Sequence, residues 1–297
     1  MSVLNFGSLN IDHVYQLHHI VAPGETIAAE QLCFVPGGKG LNQSIALAKS
    51  GADTYHAGCV GYDGGTLLEQ LASAGVHTQS IRKLDMVNGH AIIQVNEDGQ
   101  NSIIIFGGAN TALTRKIVDE IFAETDKPEL VLLQNEISQV AYIAQLCGER
   151  KIPLAFNPSP FSEALRAFPF ETVRYLLINE TEGKQITGKG DPQEIAAALL
   201  EQYPDMKVVL TLGGSGVYYR DKETELRQDG FRVKAVDTTG AGDTFTGFFL
   251  GNILQGKPVT EALRIACAAG ALSVTKPGAA PSIPRQEEVG VFLQEHG

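Results

Sequence analysis

Val236-Asp237-Thr238-Thr239-Gly240-Ala241-Gly242-Asp243-Thr244-Phe245 is a loop of small residues that runs directly into the apolar segment Phe245-Thr246-Gly247-Phe248-Phe249-Leu250. That order places the loop at a helix N-terminus, where backbone N–H groups lack partners and the helix dipole adds partial positive charge. Gly240 and Gly242 let the main chain approach a ligand closely, so the stretch suits an anion such as a phosphoryl group. Asp243, in the first turn, has two readings on local grounds: a capping or dipole-paired carboxylate, or a catalytic group.

Working outward, the chain of 297 residues has room for one large α/β domain with an appendage. Between residues 130 and 212, apolar β-prone runs (Leu130–Gln134, Pro153–Asn157, Tyr175–Asn179, Val208–Leu212) alternate with helical patterns at Val140–Arg150, Phe161–Ala167 and Pro192–Tyr203. Such alternation predicts βαβ units and a mainly parallel sheet. Polar residues end these runs at Gln134-Asn135-Glu136, Asn157, Asn179-Glu180-Thr181-Glu182 and Thr211-Leu212-Gly213-Gly214, the sheet edge on which open α/β folds bind ligands. Asp12 follows the first run, Val3–Phe6, at the same edge, and by itself it reads first as a turn residue and only second as a ligand group. Beyond Phe231–Val236 and the opening loop, helices are expected at Val259–Val274 and near Glu287–Gln294, separated by the Pro/Gly loop 275–282.

Residues 11–35 and 84–108 are different in kind. Gly89–Val95 and Ser102–Phe106 flank the turn Asn96-Glu97-Asp98-Gly99, a hairpin signal, and together with the early segment they predict a small β-sheet lid. Ala91, Ile93 and Ile105 are its candidate ligand-facing residues, with ordinary hairpin core as the alternative. His18-His19 reads as a solvated pair.

The front Gly-rich stretch, Pro36-Gly37-Gly38-Lys39-Gly40-Leu41-Asn42-Gln43, opens a helix and also lets a ligand approach the backbone. It is not a Walker loop, and the look-alike Gly251–Lys257 ends in Pro258 at a helix end. The chain contains no Gly-x-Gly-x-x-Gly, which removes the warrant for a dinucleotide oxidoreductase. A net charge of −11 and a pI near 5.1 argue against nucleic-acid or anionic-membrane partners. Cys33, Cys59, Cys147 and Cys267 are widely spaced with no CxxC pair, so a reducing, cytoplasmic setting is expected, and neither a cleavable leader nor a membrane span is evident.

Gly37–Gln43, Asn179–Glu182 and Asp237–Phe245, in that order along the chain, resemble the ribokinase family of sugar kinases. The resemblance runs over almost the whole length and implies a large doubly wound, mainly parallel α/β domain with a small β-sheet lid. It implies an ATP-dependent phosphotransferase acting on the 5-hydroxyl of D-ribose, with Asp243 as the base and the amides of Gly240, Ala241 and Gly242 holding the transferring phosphoryl group. It further implies sugar contacts at Asp12, Gly38, Lys39, Asn42, Glu136 and Asp243, and nucleotide contacts at Asn179, Thr211, Gly213, Gly216 and Gly242. Asn179 and Glu182 would organise Mg²⁺ and its waters. Asp237, Thr239, Ser273, Gly278 and Ser282 would surround a monovalent cation, in such kinases usually K⁺. Cys267 stands where many family members carry a histidine near adenine, and Lys276-Pro277 alters the cation loop. A homodimer through the lid sheet would hide its edges. The alternatives are a kinase for another furanose, a nucleoside or a ketohexose, or a sugar-binding regulator without catalysis.

Overall fold

A computed structural model describes residues 2–296. Its strands are β1 (Ser2–Phe6), β2 (Asn10–Gln16), β3 (Gln31–Gly37), β4 (Asp53–Val60), β5 (Ile81–Lys83), β6 (Gly89–Val95), β7 (Asn101–Phe106), β8 (Leu130–Gln134), β9 (Leu154–Asn157), β10 (Val173–Asn179), β11 (Lys207–Thr211), β12 (Val217–Arg220) and β13 (Glu225–Gln228). Nine of them form one sheet in the order β13-β12-β11-β10-β9-β8-β1-β4-β5. Pairing is parallel from β11 across to β5, while β12 and β13 close one side as an antiparallel hairpin.

The central strands are almost continuously apolar because both faces are covered. Val3, Leu130, Leu132 and Val209 pack into a core on one side, and Leu4, Val131, Leu133 and Leu210 into a second core on the other. The period-2 alternation of a strand thus divides one apolar run between two cores. From β1 the chain first moves outward through β4 to β5 and later returns through β8 on the opposite side. The reversal falls between β1 and β8, and ligands of doubly wound sheets bind beyond the strand C-termini at such a point.

The second sheet, β3-β2-β6-β7, is small and stands apart from the first. The hairpin β6–β7 turns at Asn96–Gln100, where the Asn96 and Gln100 backbones bond each other and the Asn96 side chain accepts from the Gln100 amide at 2.8 Å.

Two local expectations fail. The helical pattern Phe161–Ala167 forms only a 3₁₀ turn at Glu163–Ala167, hemmed in by Pro160 before it and Pro169 after it. The run Phe231–Val236 makes no strand, since β13 already occupies the sheet margin, and its end is tied to the Val274 carbonyl through the Val236 and Asp237 amides. The hairpin β12–β13 was not apparent from the strand pattern. Its turn is set by Asp221, whose Oδ1 accepts from the Glu223 and Thr224 amides.

Candidate active site

Two glycine-led helices face each other beneath the lid. Gly38 precedes the helix Lys39–Lys49 with φ 92°, and Gly240 precedes the helix Ala241–Leu254 with φ 75°. Both values lie in the left-handed region that a side chain disfavours, so each loop turns into its helix only because the residue is glycine. The Gly242 and Asp243 amides lie in the first turn, where no intrahelical acceptor exists.

Asp243 is half-buried at the junction of the two helices. Its Oδ2 accepts from Asn42 Nδ2 at 3.0 Å and its Oδ1 from Gln43 Nε2 at 2.8 Å. Burial pushes its carboxyl up to about 6, against the opposing pull of Lys39 and of these two amides. Asp12, on β2, is also pushed up to about 6, first by burial and then by the nearby Glu136 charge. Gly37 makes room for it, because a Cβ there would land on the Asp12 carboxylate.

Glu136 follows β8 and is held from three directions. Its Oε2 accepts from Ser8 Oγ at 2.5 Å and from the Lys39 amide at 2.9 Å, and its Oε1 pairs with Lys39 Nζ at 2.8 Å. Burial works most strongly against the Lys39 charge, but the carboxylates of Glu136, Asp243 and Glu182 together outweigh it and keep the ammonium protonated more firmly than usual.

These groups line one cavity of about 370 Å³ between the lid and the C-terminal edge of the large sheet. Asp12, Gly38, Lys39, Asn42, Glu136, Asn179, Glu182 and Gly240–Asp243 all border it, as do Ala91, Ile93 and Ile105 from the lid. The cavity is therefore polar at its base and apolar at its roof. A second cavity, about 470 Å³ and more apolar, is bordered by Gly213, Gly216, Phe231, Cys267 and Ala271. Thr211, Thr238, Ala241 and Gly242 border both. The anion loop is thus the wall that two adjoining cavities share. Burial pushes the Cys267 thiol up to about 12, so it meets the second cavity as a neutral, weakly polar group.

Asn179 and Glu182 form a capping box at the helix Glu180–Thr187: Asn179 Oδ1 accepts from the Glu182 amide at 2.9 Å, and Glu182 Oε2 from the Asn179 amide at 3.0 Å. The motif has a local structural purpose that the sequence reading did not include. Glu182 Oε1 makes no hydrogen bond among the described residues, which leaves one anionic oxygen for a hydrated divalent cation.

Asp237 stitches two loops together, its Oδ1 accepting from the Thr239 amide at 2.9 Å and its Oδ2 from the Gly278 amide at 2.8 Å. Burial would raise its carboxyl, but these bonds hold it below the usual range. The hydroxyls of Ser273 and Ser282 turn back onto the Gly270 and Ala279 carbonyls at 2.8 Å. A cation between these loops would meet main-chain carbonyl oxygens and the Asp237 charge rather than serine hydroxyls.

Sequence reasoning passed over Ser8 and Ser159, single polar residues with no motif around them, put Asn10 at the ligand edge beside Asp12 without a role, and gave Gln43 and Gln134 no role of their own. Asn135, which shared a motif with Glu136, instead points away and donates to the Pro160 carbonyl at 2.6 Å. On the outer lid, exposed His18 meets Glu97 at 2.6 Å and Glu30 at 3.4 Å, so the solvated histidine has carboxylate company that sequence distance concealed.

The same arrangement of chain recurs in known proteins. The model of the pfkB family of carbohydrate kinases matches residues 2–286. A ribokinase of Haemophilus influenzae is 35% identical over 297 residues, covering 97% of each chain. The crystal structure of a ribokinase from Thermotoga maritima superposes with a TM-score of 0.89 at 34% identity, over 98% of this chain and 99% of that one. An Arabidopsis thaliana ribokinase solved with ribose and ATP gives a TM-score of 0.86 at 32% identity, over 98% of both chains. With the family pattern matched nearly end to end, the chain belongs to the pfkB family of carbohydrate kinases.

Proposed function

We propose that this kinase transfers the γ-phosphoryl group of ATP to the 5-hydroxyl of D-ribose, giving ribose 5-phosphate and ADP. The observation that carries the reading is the shared wall: Gly242 and Ala241 border both cavities while Asp243 borders only the polar one. Sugar in the polar cavity and nucleotide in the apolar one would meet at the Gly240–Asp243 amides.

Asp243 takes the proton of the hydroxyl as its oxygen attacks phosphorus, and the bond to the ADP oxygen breaks. Phosphoryl transfer asks mainly for positioning and charge stabilisation, which the first-turn amides and Lys39 supply. Asp12, Gly38, Lys39, Asn42 and Glu136 read the sugar hydroxyls, and the strands β2, β3, β6 and β7 act as the lid. Thr211, Gly213, Gly216 and Asn179 border the nucleotide. Mg²⁺ near Glu182 Oε1 would neutralise phosphate charge, and a monovalent cation, K⁺ by the donor set, would sit between residues 237–239 and 273–282.

We also infer a homodimer. Leu32, Phe34, Ile104 and Phe106 expose 41%, 62%, 59% and 51% of their surface on the lid, a face that a second copy would cover. All four cysteines are free thiols, in keeping with a cytoplasmic setting. Among the described residues no helix is long and apolar enough to cross a membrane.

The test is ADP release from Mg-ATP across pentoses, 2-deoxyribose, hexoses and nucleosides, with and without K⁺. D-Ribose is expected to give the highest kcat/KM. A higher value for a nucleoside or ketohexose would reassign the substrate, and no turnover with any acceptor would favour a binding protein.

A further inference from the structure

Behind Asp243 runs a file of buried polar side chains to which the roles above give no task. Gln43 donates to Asp243 Oδ1 through Nε2, and its Oε1 accepts from Gln134 Nε2 at 2.8 Å. Gln134 Nε2 also donates to Asn5 Oδ1 at 2.8 Å. Asn5 Nδ2 donates in turn to Ser44 Oγ at 2.8 Å and to the Gly40 carbonyl at 2.9 Å. The file ends at His56, whose Nδ1 lies 2.8 Å from Ser44 Oγ and whose Nε2 lies 3.2 Å from the Gly7 carbonyl. Asn5, Gln43, Ser44, His56 and Gln134 are each at most 1% exposed.

The direction of every bond follows from the ends. Main-chain carbonyls only accept, so His56 carries its proton on Nε2 and accepts a hydrogen bond from the Ser44 hydroxyl at Nδ1. Burial keeps that imidazole neutral, pushed down to about 4. With Asn5 Nδ2 committed to Gly40 and Ser44, Asn5 Oδ1 must accept from Gln134. Both hydrogens of the Gln134 amide are then used, one for Asn5 and one for Gln43. A flipped Gln43 would set its oxygen against the Asp243 carboxylate and against Asn157 Oδ1, now 3.5 Å from its nitrogen, and its NH₂ against that of Gln134.

Gln134 Oε1 is buried without a hydrogen-bond partner. The amide keeps this orphan acceptor because turning over would put oxygen against two oxygens. A side chain kept only to fill space between β8 and the helix Lys39–Lys49 would not carry it.

We propose that Gln134 is a positioning residue: by donating one amide hydrogen to Asn5 and the other to Gln43, it locks the Gln43 amide with its N–H toward Asp243. The inference rests on Asp243 as the base. Locking Gln43 has two consequences. The carboxylate is held by two donors, so its unbonded lone pairs face the cavity in one orientation. Its ionised form is favoured, which offsets burial and the neighbouring Glu136 charge and adds to the pull of Lys39.

The experiment compares wild type with Gln134→Met, Gln43→Met, the double variant and Asp243→Asn. Gln134→Met is expected to lower kcat about tenfold, to leave KM for sugar and for ATP within about twofold, and to move the acid limb of kcat/KM up by about half to one pH unit. In the double variant the loss should equal that of Gln43→Met alone, because the two residues act in series. Wild-type kcat and limb in Gln134→Met, or losses that multiply in the double variant, would overturn the proposal. Carboxyl-labelled aspartate followed by NMR gives a reading independent of turnover. The Asp243 midpoint should rise in Gln134→Met, and an unchanged midpoint sinks the positioning role whatever Asp243→Asn does. Asp243→Asn with full turnover sinks the base assignment instead. Should Gln134→Met not fold, Gln134→Asn, too short to reach both acceptors, reads the same relation.

Discussion

Asn42 Nδ2 lies 3.0 Å from Asp243 Oδ2, a hydrogen bond between side chains 201 positions apart in the chain. It joins the first turns of the two glycine-led helices, so the residue proposed to read sugar hydroxyls and the proposed base are placed by one contact. A shift of either helix therefore disturbs both tasks at once.

Asp243→Asn keeps the shape of that junction and removes the proposed base. Turnover is expected to fall by about 10² to 10⁴ while sugar and nucleotide affinity change little. Isothermal titration with each ligand, beside a coupled ADP assay, separates the two. Near-normal turnover would show that the proton leaves by another route.

The acid limb of the pH profile follows from the same carboxylate. As the proposed base Asp243 must be ionised, and burial places its transition near 6 rather than in the ordinary aspartate range. The logarithm of kcat/KM should thus climb as pH rises toward about 6 and level off above it. Asp12 titrates in the same region, so a slope steeper than one proton is expected below the midpoint. A limb centred near 4 would contradict both placements.

Glu136→Gln tests the front of the cavity. Loss of the charge frees Lys39 Nζ from its 2.8 Å partner and removes the carboxylate that helps raise Asp12. KM for the sugar should rise about 10- to 100-fold, with a smaller change in KM for ATP. Comparable increases for both substrates would place Glu136 in the fold of the site rather than at the sugar.

Asp237→Ala cuts the two bonds that tie residue 237 to Thr239 and Gly278. The expected result is a several-fold loss of activity and a loss of any stimulation by K⁺, read from initial rates across a KCl series balanced with a large organic cation. Stimulation that persists unchanged would move the cation elsewhere.

How much of this was legible beforehand depends on the range of the interactions concerned. Gly38 and Gly240 announce themselves locally, since a glycine pair or triplet before an apolar helix has few other uses. The parallel sheet is likewise written in the alternation of Leu130–Gln134, Pro153–Asn157 and Tyr175–Asn179 with helical patterns. Asn179 and Glu182 show the limit: residue types and spacing do not reveal that the pair closes a capping box, which only the bonds show. Ser8 and Asn5 carry no local signal, and Gln134 shows only as one of the polar residues that end β8. Each is one polar residue in or just after an apolar strand, and its partner lies 128, 39 and 91 positions away.

Gly247 tests whether helix approach itself sets the site. It lies on the face of Ala241–Leu254 that meets Lys39–Lys49, and a Cβ added there would come within 2.6 Å of the Leu47 nitrogen and closer still to Ala46 Cβ. Neither backbone can give way without moving a helix, because both helices are buried along this contact. Gly247→Ala should cost about 1–3 kcal/mol in stability, read as a lowered Tm. Since the separation would also stretch the Asn42–Asp243 bond, kcat should fall even in the fraction that remains folded. Gly242→Ala, with open space at its Cβ position, is the matched control for stability. It should leave Tm nearly unchanged, so a similar loss of Tm in both variants would remove the special place given to the helix crossing.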